Sequence, residues 1–145
     1  MGAESLPVLE CACASLRRAS RAVTQRYEAA LKPSGLKPTQ LILLQALERL
    51  GPSPQSALGD LLVLDPTTLS RSLRPLANAG LIRAVDGPDR RETRWEVTRH
   101  GSARLLRALP AWQRVQRDLK SILGSRKWTA LLEELARVAA VAAPA

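Results

Sequence analysis

Residues Asp65 to Leu81, DPTTLSRSLRPLANAGL, constrain what this chain can fold into more than any other stretch. Asp65 followed by Pro66 is a helix start: a side-chain oxygen caps free backbone N–H groups, and proline suits the first helical position. Gly80 is the matching stop, able to turn left-handed just past the last turn. At about 100° per residue, Thr67, Arg71, Arg74 and Asn78 fall on one side of this helix. Leu69, Leu73 and Leu76 fall nearly opposite. The leucine stripe must be buried, so hydroxyls, an amide and two arginines are left facing outward. Such a set, with Thr68 and Ser70 beside it, can reach phosphate oxygens and base edges in a DNA major groove. An ordinary solvated face would look similar, so the flanking segments decide.

After Gly80 the period changes. Leu81–Val85 and Thr93–Val97 can each form a strand, and Asp86-Gly87-Pro88-Asp89 between them is turn chemistry. The result is a hairpin with Arg90, Arg91 and Arg94 at or near its tip. Two strands alone are marginal in water, so the hairpin must lean on the helices. Before Asp65, Pro38–Leu50 reads as a helix with Leu41, Leu44 and Leu47 inward, and Pro54–Leu62 as a short one. Two short helices joined by a tight turn, the second with the polar stripe, make a helix-turn-helix. A basic hairpin directly after it is a wing, placed to insert arginine into a narrow minor groove. Pro75 inside the second helix predicts a modest kink.

Long helices flank this unit. Residues 5–31 read as one, capped by Ser5, with a seam at Leu9, Cys13, Leu16, Ser20, Val23, Tyr27 and Ala30. Thr98 caps another reaching Leu123, with a seam at Leu105, Leu109, Trp112, Gln116, Leu119 and Leu123 and a bend expected at Pro110. A last helix, residues 127–141, places Trp128, Leu131, Leu132, Leu135 and Val138 on one side. Seams alternating by three and four residues suit packing along another helix, including one from a second chain. The chain contains no Phe and 3% aromatics, so its core must be aliphatic. The fold expected is mainly α with a small β-hairpin wing, in a single domain of 1–145.

Lys and Arg number 22 against 13 acids, a net +9. That excess suits a polyanion, but it is spread along the chain and does not locate the surface. No apolar run is long enough for a transmembrane helix and no signal peptide is visible, so a cytoplasmic protein without membrane contact is expected. The one histidine, His100, has no acid pair, nucleophile or phosphate loop beside it, which argues against an enzyme. Cys11 and Cys13, read on one helix, point about 200° apart and cannot readily share a metal ion. No metal site and no cofactor are expected.

The order of elements resembles the MarR family of bacterial transcriptional regulators. The resemblance is carried by Gly35-Leu36-Lys37-Pro38-Thr39-Gln40, Leu64-Asp65-Pro66-Thr67-Thr68-Leu69-Ser70-Arg71, Ala79-Gly80-Leu81-Ile82, Asp89-Arg90-Arg91 and Val97-Thr98-Arg99-His100-Gly101. It implies an obligate homodimer, with residues 35–98 as a winged helix-turn-helix lobe and 5–34 and 99–145 as dimerisation helices. The partner implied is a pseudo-palindromic double-stranded DNA operator, with the protein as its repressor. In the family the wing aspartate, here Asp89, braces the tip while an arginine, here Arg91, enters the minor groove. A cleft between arms and lobes commonly holds a ligand, here expected to be small and apolar or phenolic. A winged helix that binds protein instead of DNA is the alternative, and its expected mark is loss of the outward arginines.

Cys13 stands fourteen residues before Tyr27, the spacing of the organic-hydroperoxide sensors of this family, in which that tyrosine hydrogen-bonds an oxidisable first-helix cysteine. Two further tyrosines of that site are replaced here by Arg17 and Pro38. Arg17 could instead hold a thiolate, and Cys11 could resolve an oxidised Cys13 only from another chain. The plainer reading is a small buried hydrophobe.

Overall fold

The computed structural model describes residues 6–89 and 91–144. Six helices and three short strands follow one another: α1 (Ala12–Leu31), α2 (Pro38–Leu50), β1 (Ser53–Pro54), α3 (Gln55–Leu62), α4 (Pro66–Asn78), β2 (Ile82–Asp86), β3 (Thr93–Val97), α5 (Arg99–Leu123) and α6 (Ser125–Ala142). A 3-10 turn, Lys32–Ser34, links α1 to α2. The fold is mainly helical with a small wing, as the pattern predicts.

The core is aliphatic and lies between α2, α3, α4 and the start of α5. Leu41, Leu44 and Leu47 of α2 meet Leu58, Leu69, Leu73 and Leu76, closed by Leu81, Ile82, Leu105 and Ala108. Burying each leucine contributes about 1.5–3 kcal/mol. The three leucines of α4 together outweigh the roughly 3 kcal/mol that a helix-interior proline costs. The helix therefore runs on through Pro75 to Asn78.

Three boundaries differ from expectation. The first helix begins at Ala12, with Cys11 in extended backbone at its N-cap. Ser5, expected as the cap, lies outside the described residues. Residues 6–10 fold back on α1 instead: Ser15 Oγ donates to the Leu9 carbonyl at 3.0 Å and Arg18 Nη2 to the Pro7 carbonyl at 2.8 Å. Cys11 is thus not on the helix with Cys13, and the opposed geometry expected of that pair does not apply. The last helix starts at Ser125, directly after Gly124, two residues earlier than expected.

The third difference is a strand. Ser53 and Pro54 pair with Trp95 and Arg94, so the wing is the far part of a three-stranded antiparallel sheet ordered β1-β3-β2. In it Ile82 lies opposite Val97 and Asp86 opposite Thr93. Two residues are too few to show alternation, and a proline at a strand edge reads as a helix start. This strand is how the wing leans on the helical lobe.

One junction joins α4, the wing and α5. The Thr98 N–H donates to the Leu81 carbonyl at 3.0 Å, and Thr98 Oγ1 donates to the Gly80 carbonyl at 2.6 Å. The same Oγ1 accepts from the Gly101 N–H at 3.0 Å, capping α5. Gly80 takes the left-handed φ of 70° that this reversal needs. A Cβ at Gly101 would overlap the Leu81 carbonyl oxygen and lie 2.8 Å from Val97 Cγ1. Gly101→Ala should therefore destabilise the protein by about 3 kcal/mol through overpacking. Its urea midpoint should fall accordingly, and an unchanged midpoint would contradict this close approach.

Candidate nucleic-acid interface

Asp65 starts helix α4 from outside it. Its Oδ1 accepts from the Thr68 N–H at 2.9 Å and its Oδ2 from the Thr68 hydroxyl at 2.5 Å. These hydrogen bonds, that from the Thr68 hydroxyl first, hold the Asp65 carboxyl below its ordinary pKa. The turn before it is tight. Gly59 admits the Leu64 carbonyl 3.0 Å from where a Cβ would sit, and Val63 takes a left-handed φ of 53°.

The helix so launched is two-faced. Leu69, Leu73 and Leu76 are at most 1% exposed, whereas Thr67, Thr68, Ser70, Arg71, Arg74 and Asn78 are all exposed. Among the described residues, Thr67, Arg71, Arg74 and Asn78 make no side-chain hydrogen bond or ion pair within the chain. Thr68 is occupied in capping. Ser70 Oγ accepts from Gln55 Nε2 at 2.8 Å, which leaves its own proton free to donate outward. Gln55 also donates to the Pro66 carbonyl at 3.2 Å, so the first residue of α3 braces the first turn of α4. Sequence reasoning missed Gln55; its signal is only a polar residue at the start of the supporting helix.

At the wing, Asp89 Oδ1 accepts from the Arg91 N–H at 3.1 Å. The Glu92 N–H reaches the Asp89 carbonyl at 2.9 Å, and the Gly87 N–H reaches the Glu92 carbonyl at 2.8 Å. Arg91 is exposed beyond this braced turn. Arg90 lies outside the described residues. Arg94, expected at or near the tip, is half-buried and paired with Glu92 at 3.1 Å. Across the strands, Arg83 pairs with Glu96 at 2.6 Å. Of the expected wing arginines, the described residues thus present Arg91 unpaired.

Residues 36–101 match the winged helix DNA-binding domain family. Over nearly its whole length the chain is similar to the transcriptional regulator MosR of M. tuberculosis, solved in complex with DNA. The two share 36% identity over 92% of this chain and 96% of that one, with a TM-score of 0.83. The chain belongs to the MarR family of transcriptional regulators. It is also similar to the transcriptional repressor CouR bound to a 23-mer DNA duplex, at 29% identity over 90% of this chain and 93% of that one, TM-score 0.75. CouR has also been solved with p-coumaroyl-CoA, at 26% identity, 90% and 92% coverage and a TM-score of 0.79. Comparison with curated proteins gave no match.

Apart from the α4 and wing surface, this MarR-family chain holds a cavity of about 280 Å³ where α1, α2 and α5 meet. Tyr27, Leu41, Ile42 and Trp112 give it an apolar wall, with Gln45 and Gln116 as polar points. Burial pushes the Tyr27 phenol above its ordinary pKa. Cys13 and Cys11 are free and exposed, as is Arg17. Fourteen residues of straight helix separate Cys13 from Tyr27 by roughly 21 Å, so the two cannot meet within one chain. Cys13, expected on a seam covered by a second chain, is exposed in the single chain. Among the described residues there is no group of three or more potential metal ligands and no helix long and apolar enough to cross a membrane.

Because the Asp65 carboxyl is held below its ordinary value, its cap is present above the unfolded pKa, near pH 4. The contribution disappears as pH falls through the lower folded value. Asp65→Ala should therefore be less stable than the native protein at neutral pH, with the difference closing below about pH 4. Urea unfolding at pH 7 and pH 3 checks this, and a gap independent of pH would contradict it.

Proposed function

We propose that this MarR-family protein acts as a homodimeric repressor on a pseudo-palindromic double-stranded DNA operator in the cytoplasm. The observation that carries this reading is the two-faced α4, whose outward arginines have no partner within the chain. Residues 35–98 would serve as the DNA-binding lobe. Thr67, Arg71, Arg74 and Asn78 would face the major groove, with Thr68 and Ser70 near phosphates. Asp89 would brace the wing while Arg91 enters the minor groove, joined by Arg90 and by Arg94 once it exchanges Glu92 for phosphate. Arg71, Arg74 and Arg91 weigh against a winged helix that binds only protein.

Dimerisation rests on apolar surface that one chain leaves uncovered. Every described residue of α6 except Trp128 is exposed, including Leu131, Leu132, Leu135 and Val138 at 39–48%. On α1, Leu16 and Val23 are exposed as well. A face of that size is costly to leave in water, and a second copy supplies a matching one. The helices from residue 12 to 34 and from 99 to 144 would form this interface.

For release from DNA, the cavity under Tyr27 and Trp112 supports a small apolar or phenolic ligand. It joins the α1–α5 arm to α2 of the lobe, so a ligand there would bias how the two recognition helices are spaced. Release by an organic hydroperoxide would rest on Cys13, which cannot meet Tyr27 of its own chain, and the cavity has the stronger support.

Binding to a duplex from upstream of its own gene tests the reading. Arg71→Ala and Arg74→Ala should each weaken specific binding by ~1–3 kcal/mol. Arg91→Ala should weaken it with a shallower salt slope. Undiminished affinity in both α4 variants would sink the proposal. Deleting residues 125–145 should leave a poorly folded chain, and a well-folded monomer seen in sedimentation would contradict the shared interface.

A further inference from the structure

Another flank of α5 carries a different kind of site. Lys32 of the 3-10 turn and Arg104 and Arg107 of α5 surround an open cavity of about 420 Å³, completed by Pro33, Ser34 and Gly35. Three cations line it and no acid does. Among the described residues none of the three is in an ion pair. None of the large exposed hydrophobic residues lines it either, so the cavity is not part of the apolar surface assigned to a second copy.

Arg104 is built into the turn rather than waving in solvent. Its Nε is buried without a hydrogen-bond partner. Its Nη1 reaches the Ser34 carbonyl only at 3.5 Å, beyond a good hydrogen bond. Gly35 takes a left-handed φ of 72°, and a Cβ there would stand 3.2 Å from that Nη1. The guanidinium therefore lies close against the backbone of the turn. Three like charges gathered around one cavity, one of them poorly hydrogen-bonded, raise the local electrostatic energy. A bound anion relieves it, and charge-assisted hydrogen bonds from guanidinium and ammonium are the strong kind.

We infer that this cavity is a site for the phosphate group of a small molecule. Two arginine forks and an ammonium supply more donors and more charge than a single carboxylate would use. Its place matters: Lys32 follows the end of α1 and the two arginines lie on α5, so a bound phosphate ties the arm's two helices together beside the lobe. The site is separate from the α4 surface and does not depend on the reading of that surface.

The probe is inorganic pyrophosphate, titrated into the full chain at constant ionic strength while the Gly35 amide is followed by ¹H–¹⁵N NMR. A saturable shift of that amide is expected. Lys32→Gln and Arg107→Gln, both at exposed positions, should each weaken the affinity about tenfold, the loss of one hydrogen bond to a charged group. Arg71→Ala should leave the Gly35 response intact. The same Lys32→Gln and Arg107→Gln proteins should bind the upstream duplex as tightly as the native protein. A silent Gly35 amide, a response undiminished in the Lys32 and Arg107 variants, or one lost in Arg71→Ala would overturn the site. Loss of duplex binding in the Lys32 and Arg107 variants would overturn it too, by making these residues DNA-backbone contacts.

Discussion

The clasp between Thr98 and the Gly80-Leu81 reversal is the contact on which the rest of the lobe depends. The recognition helix ends, the first long wing strand begins and α5 starts within a few ångströms of one another. Backbone carbonyls of Gly80 and Leu81 both accept from Thr98. Gly101 lets α5 lie directly against Leu81, an approach no side chain would permit. Since α5 is also part of the proposed dimer arm, its angle to the lobe decides where the polar face of α4 points. Half-site spacing on DNA is a matter of that geometry.

From this junction the division of labour along α4 follows. Its leucines are committed to the aliphatic core, which leaves Thr67, Arg71, Arg74 and Asn78 facing solvent with no side-chain partner among the described residues. Two of the polar residues are not simply free: Thr68 is spent on Asp65, and Ser70 is oriented by Gln55. Arginines with long, unpaired side chains have freedom to adapt to base edges and phosphates, whereas the anchored hydroxyls are held in place. Rigid and adaptable donors on one helix suit recognition that must both find a register and read a sequence.

The arms tell a complementary story. In a single chain α1 packs on α5 only toward its C-terminal end, around Tyr27, Ala30 and Leu31, while its N-terminal part and all of α6 stay largely in solvent. An amphipathic helix with an unburied apolar face is an incomplete structure. Cysteines on such a segment take their environment from whatever covers it, so Cys13 is exposed in one chain although it stands at a seam position.

The sequence by itself determined the order and type of the helices, the two faces of α4, the wing and the family. Local signals carry all of these: Asp65-Pro66 and Thr98 as caps, Gly80 as a stop, leucines at helical spacing, and Gly87-Pro88 as a turn. Only the tertiary structure decided what depends on distant partners. β1 exists because Trp95 and Arg94 of β3 pair with Ser53 and Pro54, some forty residues away in sequence. Val63 adopts a left-handed conformation that a β-branched residue disfavours because Leu62 and Leu64 on either side pack on the core. Arg104 meets the carbonyl of Ser34, 70 residues away in sequence, only once α5 has packed against the turn that follows α1. Periodicity reports which face a residue takes on its own element; it carries no information about which charge or carbonyl waits on the next one.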